Sequence, residues 1–209
     1  MSTPILILGE SGTGKSDAMR NLDPAKTLLI QATPKKLPFK VEGWKVYEEG
    51  KGGNIFVTDK AADIISLLQG TKKKIIVLDD YQYVLSNELL KRWRETGYGK
   101  FSEVGYNGLN IIQVANSLPN DVHVYIMAHS ETGDDGITRI KTPGKLMSNY
   151  NVEGLFSMVL RTCVRDDVYY FATKNSGSDT VKSPREMFAE ELISNDLLLV
   201  DKAITDFGW

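Results

Sequence analysis

The sequence predicts an α/β fold built on a mostly parallel central sheet, and three observations carry that prediction. Strand-length apolar runs, such as Ile5 to Leu8 and Ile75 to Leu78, alternate with stretches whose apolar residues recur at helical spacing. The first run leads into a glycine-rich loop and then a helical pattern, the order of a parallel β–loop–α unit. Near the C-terminus, Met158 to Val164 and Val168 to Thr173 read as strands flanking Asp166-Asp167, a tight-turn pair that predicts a β-hairpin.

Taken in order, Pro4 to Leu8 is a buried strand. Lys15 to Leu22 reads as a helix stopped at Asp23-Pro24, because proline disfavours helical backbone in the residue before it. Thr27 to Ala32 is a second strand, and residues 33–53 are irregular apart from a short strand around Trp44 to Tyr47. Asp59 is placed to cap a helix running to Leu68, with Ala62, Ile65 and Leu68 on one face and Gly70 at its end. Lys74 to Leu78 is a third strand. Ser86 or Asn87 caps a helix over Glu88 to Glu95, Gly97 to Gly105 is a loop, and Leu109 to Leu118 is a helix closed by Pro119. Val122 to Ala128 alternates as a strand, Ser130 to Tyr150 reads as a long mobile loop, and the C-terminal stretch is mainly helical.

Residues 1–209 make one domain. Lys plus Arg number 25 against 27 Asp plus Glu, a net charge of −2, which excludes a basic field over the whole surface and makes any polyanion site local. Cys163 is the single cysteine and forms no internal disulfide, which fits a reducing compartment. The apolar runs fall far short of the ~20 residues of a membrane helix, and MSTPILILGE lacks a basic leader pattern, so a cytoplasmic protein without membrane contact is expected.

The strongest motif is GESGTGKS: Gly9, Glu10, Ser11, Gly12, Thr13, Gly14, Lys15 and Ser16 fit G-x-x-x-x-G-K-[ST] at every fixed position. Glycines let the backbone curl until successive N–H groups converge on phosphate oxygens. Lys15 is then the contact to the β- and γ-phosphates, and Ser16 a ligand of Mg²⁺. KIIVLDD supplies the matching acidic end of a buried strand: Asp79 for the metal and Asp80 as a water-activating carboxylate.

Other features sort the nucleotide and the class. Thr173-Lys174-Asn175-Ser176 lacks the aspartate of a guanine-reading [NT]-K-x-D motif, so ATP is expected rather than GTP. The arginines Arg139, Arg161, Arg165 and Arg185 are too scattered for the lid of a nucleotide kinase. His129, just past the strand ending VHVYIMA, is placed to sense a γ-phosphate, whereas His123 reads as structural.

Six landmarks carry a resemblance over nearly the whole chain: GESGTGKS, VLDDYQYV, RETGYGKF (Arg94 to Phe101), IMAHSE, IKTPGKLMSN and TKNSGSDTVKSP. Their order resembles a phage-encoded family of small P-loop ATPases that includes RecA-like (Sak-four-like) single-strand annealing proteins. The resemblance implies a three-layer RecA-like P-loop core, Mg²⁺-dependent ATP hydrolysis, and binding and annealing of single-stranded DNA in recombination or replication. It further implies a homo-oligomer in the host cytoplasm, with a helicase or single-strand-binding protein as partner. Lys174-Asn175-Ser176-Gly177 is similar to the K-x-R-x-G element that inserts a basic finger into a neighbour's site, with serine in place of arginine, so Lys174 alone is left to act. One departure stands out. RecA recombinases carry a catalytic glutamate just after the second strand, where this chain has Gln31, so either Asp80 or Glu10 substitutes, or turnover is slow and nucleotide acts as a switch.

Basic residues cluster locally in three places: Lys35, Lys36 and Lys40; Lys91, Arg92, Arg94 and Lys100 among Trp93, Tyr98 and Phe101; and Arg139, Lys141 and Lys145. Arg94, Lys100, Arg139, Lys141 and Lys145 are the candidate DNA contacts, because a single strand wants a basic groove with aromatic platforms. Leu89, Leu90 and Trp93 sit at helical spacing, which makes Trp93 a core residue by expectation. The rival reading is a nucleotide-dependent switch or loader that recruits a replication protein without touching DNA; a small-molecule kinase is a third.

Overall fold

The computed structural model describes residues 2–143 and 150–209. Among them, nine strands join one mixed sheet flanked by four α-helices. In chain order these are β1 (Ile5–Gly9), β2 (Thr27–Gln31), β3 (Ile55–Val57), α1 (Ala61–Gly70), β4 (Ile75–Asp79), α2 (Tyr81–Lys91), α3 (Gly99–Ser117), β5 (His123–Thr132), β6 (Thr138–Ile140), β7 (Met158–Arg165), β8 (Val168–Ala172), β9 (Leu192–Ser194) and α4 (Leu197–Phe207). The spatial order is β3-β2-β4-β5-β1-β7-β8-β9, with β6 paired to the end of β5. From β3 to β7 the strands are parallel; β8 and β9 continue the sheet antiparallel. This is the expected α/β architecture, a mostly parallel central sheet between two helical layers with a β-hairpin toward the C-terminus.

Both faces of the sheet are covered, which is why its strands read as nearly unbroken apolar runs. Leu6, Leu8, Ile30, Ile76, Leu78, Val124 and Ile126 pack under α1, α2 and α3. The alternate residues Ile5, Ile7, Leu29, Val77, Tyr125, Met127 and Leu160 pack under α4 and the segment Ala18 to Leu22. On that second face the Asp201 carboxylate of α4 accepts from Tyr125 Oη at 2.9 Å and meets His123 Nδ1 at 2.6 Å, so His123 ties a helix to the sheet. Among the described residues no helix is long and apolar enough to cross a membrane.

Several local expectations give way. Lys15 to Leu22 coils but never settles into an α-helix: only Asp17–Met19 forms a 3₁₀ turn, with Arg20 N–H on Asp17 O and Leu22 N–H on Met19 O, both at 3.0 Å. Between the glycine loop and Asp23-Pro24 there is room for about two turns, too short to be stable alone, and the segment is held by burying Ala18, Met19 and Leu22. α2 starts at Tyr81 rather than Glu88, because Asp80 takes a left-handed conformation (φ 65°) that turns the chain directly from strand into helix. α3 begins at Gly99, absorbing the expected loop; its Gly108 lies so close to α2 that an added Cβ would sit 2.5 Å from Leu85 Cδ2. No strand forms over Trp44 to Tyr47, where a single bridge joins Val46 to Ile55, and the strand of that region is β3. Residues 130–140 of the expected mobile loop instead extend β5 and fold back as β6. The C-terminal region is helical only over α4, preceded by β9. The hairpin is as expected: Asp166 and Asp167 both have positive φ (51° and 61°), the backbone that a two-residue hairpin turn needs.

Asp59 does not cap α1, whose N-cap is Lys60; its carboxylate accepts instead from Asn87 Nδ2 at 3.0 Å and Lys91 Nζ at 2.6 Å. The Lys91 hydrogen bond holds the Asp59 carboxyl below its ordinary 3.8. A depressed carboxyl stabilises the fold above its unfolded value, and that contribution is lost as pH falls through the folded value. Lys91 is well exposed, so Asp59→Asn is expected to cost about 0.5 kcal/mol at pH 7. That lowers Tm by roughly 1–2 °C for a chain of this size, and thermal melts of variant and parent should converge below pH 3.8.

Candidate functional site

Two strand ends and the middle of a third strand converge at one edge of the sheet. β1 ends at Gly9, which pairs with His129 of β5, and β4 ends at Asp79, one step beyond the Leu78–Ile126 pair. Ligands of parallel sheets bind at this carboxyl edge. The loop from Gly9 to Ser16 is clasped by its neighbours: Thr13 Oγ1 lies 2.6 Å from Thr162 Oγ1 of β7, and Asn195 Nδ2 donates to Gly14 O at 3.0 Å. Glycine is required at both contacts. A Cβ on Gly9 would lie 1.8 Å from Thr162 Oγ1, and Gly14 has φ +94° with Asn195 Nδ2 only 2.2 Å from where its Cβ would be.

Lys15 folds back into its own loop, where Nζ donates to Gly9 O at 2.8 Å and Glu10 O at 2.7 Å. Burial pulls its pKa down to about 8 against the opposing pull of Asp80 and Asp79. Ser16 Oγ donates to Asp79, 3.0 Å from Oδ2 and 3.3 Å from Oδ1, joining residues 63 apart in sequence. Asp79 is fully buried, and that burial raises its pKa although Lys35 opposes it. Lys35 Nζ lies 2.9 Å from Asp79 Oδ2 and 2.7 Å from Asp80 Oδ2, bridging the two carboxylates. Burial works against the Lys35 ammonium, but the carboxylates outweigh it and raise its pKa.

Asp80 is buried at the N-terminus of α2, yet its side chain makes no capping bond there. Its carboxylate is committed to the cleft, with Lys35 on one oxygen and His129 Nε2 at 3.5 Å from the other. His129 lies within β5 rather than beyond it, because pairing with β6 prolongs the strand to Thr132. Its backbone N–H donates to Gln82 Oε1 at 3.1 Å, and its carbonyl accepts from Lys141 N–H at 2.8 Å. Burial lowers the His129 pKa, and nearby Lys15 lowers it further, which keeps the ring neutral at pH 7. Gln82 Nε2, buried behind it, has no partner among the described residues.

These groups line a cleft of about 430 Å³, whose walls include Ser11, Gly12, Gly14, Lys15, Ser16, Asp80 and His129. Arg20, Lys35, Lys36 and Tyr169 line it too, and the sequence pattern did not assign them there. Lys35 and Lys36 stood out only as part of a basic group; the signal that could have found them is their place just after the second strand, between Pro34 and Pro38. Glu10 is exposed and lies outside this wall. Lys174 is not at this edge: β8 runs back from the hairpin tip, and Lys174 Nζ donates to Ala189 O at 2.9 Å.

Of the other candidate contacts, Arg94, Lys100, Arg139 and Lys141 are not part of the cleft wall, although Lys141 adjoins it through its backbone bond to His129. Arg94 stacks over the Trp93 ring at 5.0 Å, and Lys100 over Phe101 at 5.4 Å. Trp93 is 69% exposed and Tyr98 89%, so Trp93 is a surface residue, not core; α2 ends at Lys91 and its apolar face stops short of it. Arg139 of β6 pairs with Asp135 at 2.7 Å. Lys145 lies outside the described residues.

Among the described residues no cluster of three or more His, Cys, Asp or Glu could hold a metal by itself. A divalent ion carried in on phosphates needs less: Mg²⁺ takes one or two protein oxygens and completes its shell from phosphate and water. Ser16 Oγ at the cleft wall and the Asp79 carboxylate it touches, buried behind it, are oxygen donors of that kind, so these residues fit the ion. No family model and no curated protein matches the chain, so the reading of this site rests on its own chemistry.

Proposed function

We propose that the protein is a Mg²⁺-dependent ATPase of RecA-like type that couples nucleotide binding to single-stranded DNA. The observation that carries the nucleotide reading is the contact of Ser16 with Asp79 beneath a glycine loop bearing a buried lysine. In this reading Lys15 exchanges the Gly9 and Glu10 carbonyls for β- and γ-phosphate oxygens, and the N–H groups of the loop hold the phosphate chain. Ser16 and Asp79 would hold Mg²⁺, whose charge would offset that of the phosphate chain. Asp80 accepts the proton of the attacking water as its oxygen bonds to the γ-phosphorus and ADP leaves. The exposed ring of Tyr169 at the cleft wall offers a face for the base.

Coupling has a direct route. The His129 carbonyl holds the N–H of Lys141, and Ser130 pairs with Ile140, so a shift of His129 toward a γ-phosphate moves β6 with its Arg139 and Lys141. Trp93, Tyr98 and Arg94 supply exposed stacking surfaces for bases. The test is fluorescence anisotropy of a labelled oligonucleotide with and without a non-hydrolysable ATP analogue. Salt-sensitive binding that strengthens with the analogue is expected. Trp93→Ala with Tyr98→Ala should weaken it at least tenfold, at ~1–3 kcal/mol per stacked base. Absence of salt-sensitive binding in both states would rule out the DNA reading.

One observation favours the rival loader reading. The basic residues around Trp93 are largely spent within the chain: Arg92 on Glu88, Glu95 and Glu103, Lys91 on Asp59, and Lys100 on the Glu95 carbonyl. A patch so neutralised and so aromatic also suits a protein partner. Analogue-dependent capture of a helicase or single-strand-binding protein, unchanged by charge reversal at Arg139 and Lys141, would select that reading.

A further inference from the structure

The Lys35 ammonium occupies a place that the proposed reaction needs. It sits 2.9 Å from the same Asp79 oxygen that Ser16 approaches to 3.0 Å, and it also holds Asp80 at 2.7 Å. An ammonium at that spot satisfies two buried carboxylates in the absence of any other cation. It cannot stay there beside a divalent ion on Asp79, because like charges a few ångströms apart in a poorly solvated cleft repel strongly.

Lys35 has a second place to go. Its segment is braced: Gln31, buried and opposite Asp79 in the sheet register, donates from Nε2 to Lys35 O at 3.2 Å, and Pro34 and Pro38 restrict the backbone on either side. Lys35, Lys36 and Pro38 all line the phosphate cleft, and the Lys35 side chain is 34% exposed. With the backbone fixed, the mobile part is the four-carbon stem, which carries a charged donor within reach of either the carboxylates or the cleft.

We propose that Lys35 is a phosphate-binding residue with two stations: it neutralises Asp79 and Asp80 in the nucleotide-free protein, and it transfers to the terminal phosphate of a bound nucleoside triphosphate. The inference rests on the nucleotide reading above. It makes Lys35 an antagonist of metal alone and an ally of metal with nucleotide, so one substitution has effects of opposite sign. It also gives the Gln31 position a role: where a recombinase carries a glutamate, an uncharged amide here holds the strap that presents the lysine.

The test uses the full chain and two titrations followed by calorimetry and thermal melting, one with MgCl₂ alone and one with a non-hydrolysable ATP analogue plus MgCl₂. Lys35→Gln keeps a hydrogen-bond donor and removes the charge; Lys35→Met, nearly the same shape, serves if the first variant folds poorly. In either, Mg²⁺ alone is expected to bind about tenfold more tightly than to the parent and to raise Tm more. The analogue with Mg²⁺ should bind about tenfold more weakly, each tenfold being ~1.4 kcal/mol. Lys35→Arg should restore both toward the parent. If the parent binds the analogue but the neutral variants leave both affinities within twofold, the role of Lys35 is overturned and the cleft reading stands. If the parent binds no analogue at all, the cleft reading itself falls, and this inference with it.

Discussion

Lys15→Ala is expected to lower nucleotide affinity and turnover by about 100-fold or more while leaving the fold intact. Two charge-assisted contacts to phosphate oxygens are lost, each worth roughly 1.5–3 kcal/mol. In the nucleotide-free protein the same side chain contributes little to stability. Its ammonium is desolvated, its partners are two carbonyls of its own loop, and burial has already pulled its pKa to about 8. The loop is held without it, by Thr162 and Asn195. Calorimetry with ATP analogue, paired with a thermal melt, separates the two effects. A variant that hydrolyses ATP at the parent's rate would move the nucleotide site elsewhere.

Asp80→Asn is expected to cut turnover by about 10²–10⁴-fold, the range of a lost general base, with nucleotide affinity changed only a few-fold. Asparagine suits the test because it tolerates the left-handed backbone that Asp80 adopts at φ 65°, so the turn from β4 into α2 survives. Glu10→Gln is the matched control. Glu10 is exposed and outside the cleft wall, so its variant should turn over at the parent's rate. Single-turnover rates for the pair assign the base, and loss of turnover in Glu10→Gln alone would reverse the assignment.

The distinction between what was legible in the chain and what was not follows the range of the interactions involved. A buried parallel strand must be apolar on both faces, so β1, β2 and β4 announce themselves as short runs, and Asp79 stands out as a carboxylate ending one of them. The glycine loop is equally local: its turns need small residues and its lysine and serine lie next to each other. Where α2 begins is less legible, because it depends on a non-glycine residue accepting positive φ, and that is repaid only by the packing of Tyr81, Val84 and Leu85. The β5–β6 hairpin looked like a polar loop for a related reason. Its strands pair with each other at the edge of the cleft, where the sequence has no apolar alternation to advertise them.

Trp93 shows the same limit from the other side. Its spacing from Leu89 and Leu90 matched a buried helical face, yet α2 stops at Lys91 and leaves both Leu90 and Trp93 in solvent at 69% exposure. Periodicity reports which residues could share a face; whether anything covers that face is decided by neighbours far away in sequence.

By itself, then, the order of residues determined an α/β sheet with a glycine-rich, lysine-bearing loop at one strand end and an acidic residue at another, because those features are written in contiguous side chains and backbone turns. Only the folded chain decided that Lys35 would bridge Asp79 and Asp80, that His129 would stand opposite Gly9, and that Lys174 would sit apart from all of them. Such contacts join side chains from separate strands and loops, and their distances are set by strand order and register, which no local stretch of sequence encodes.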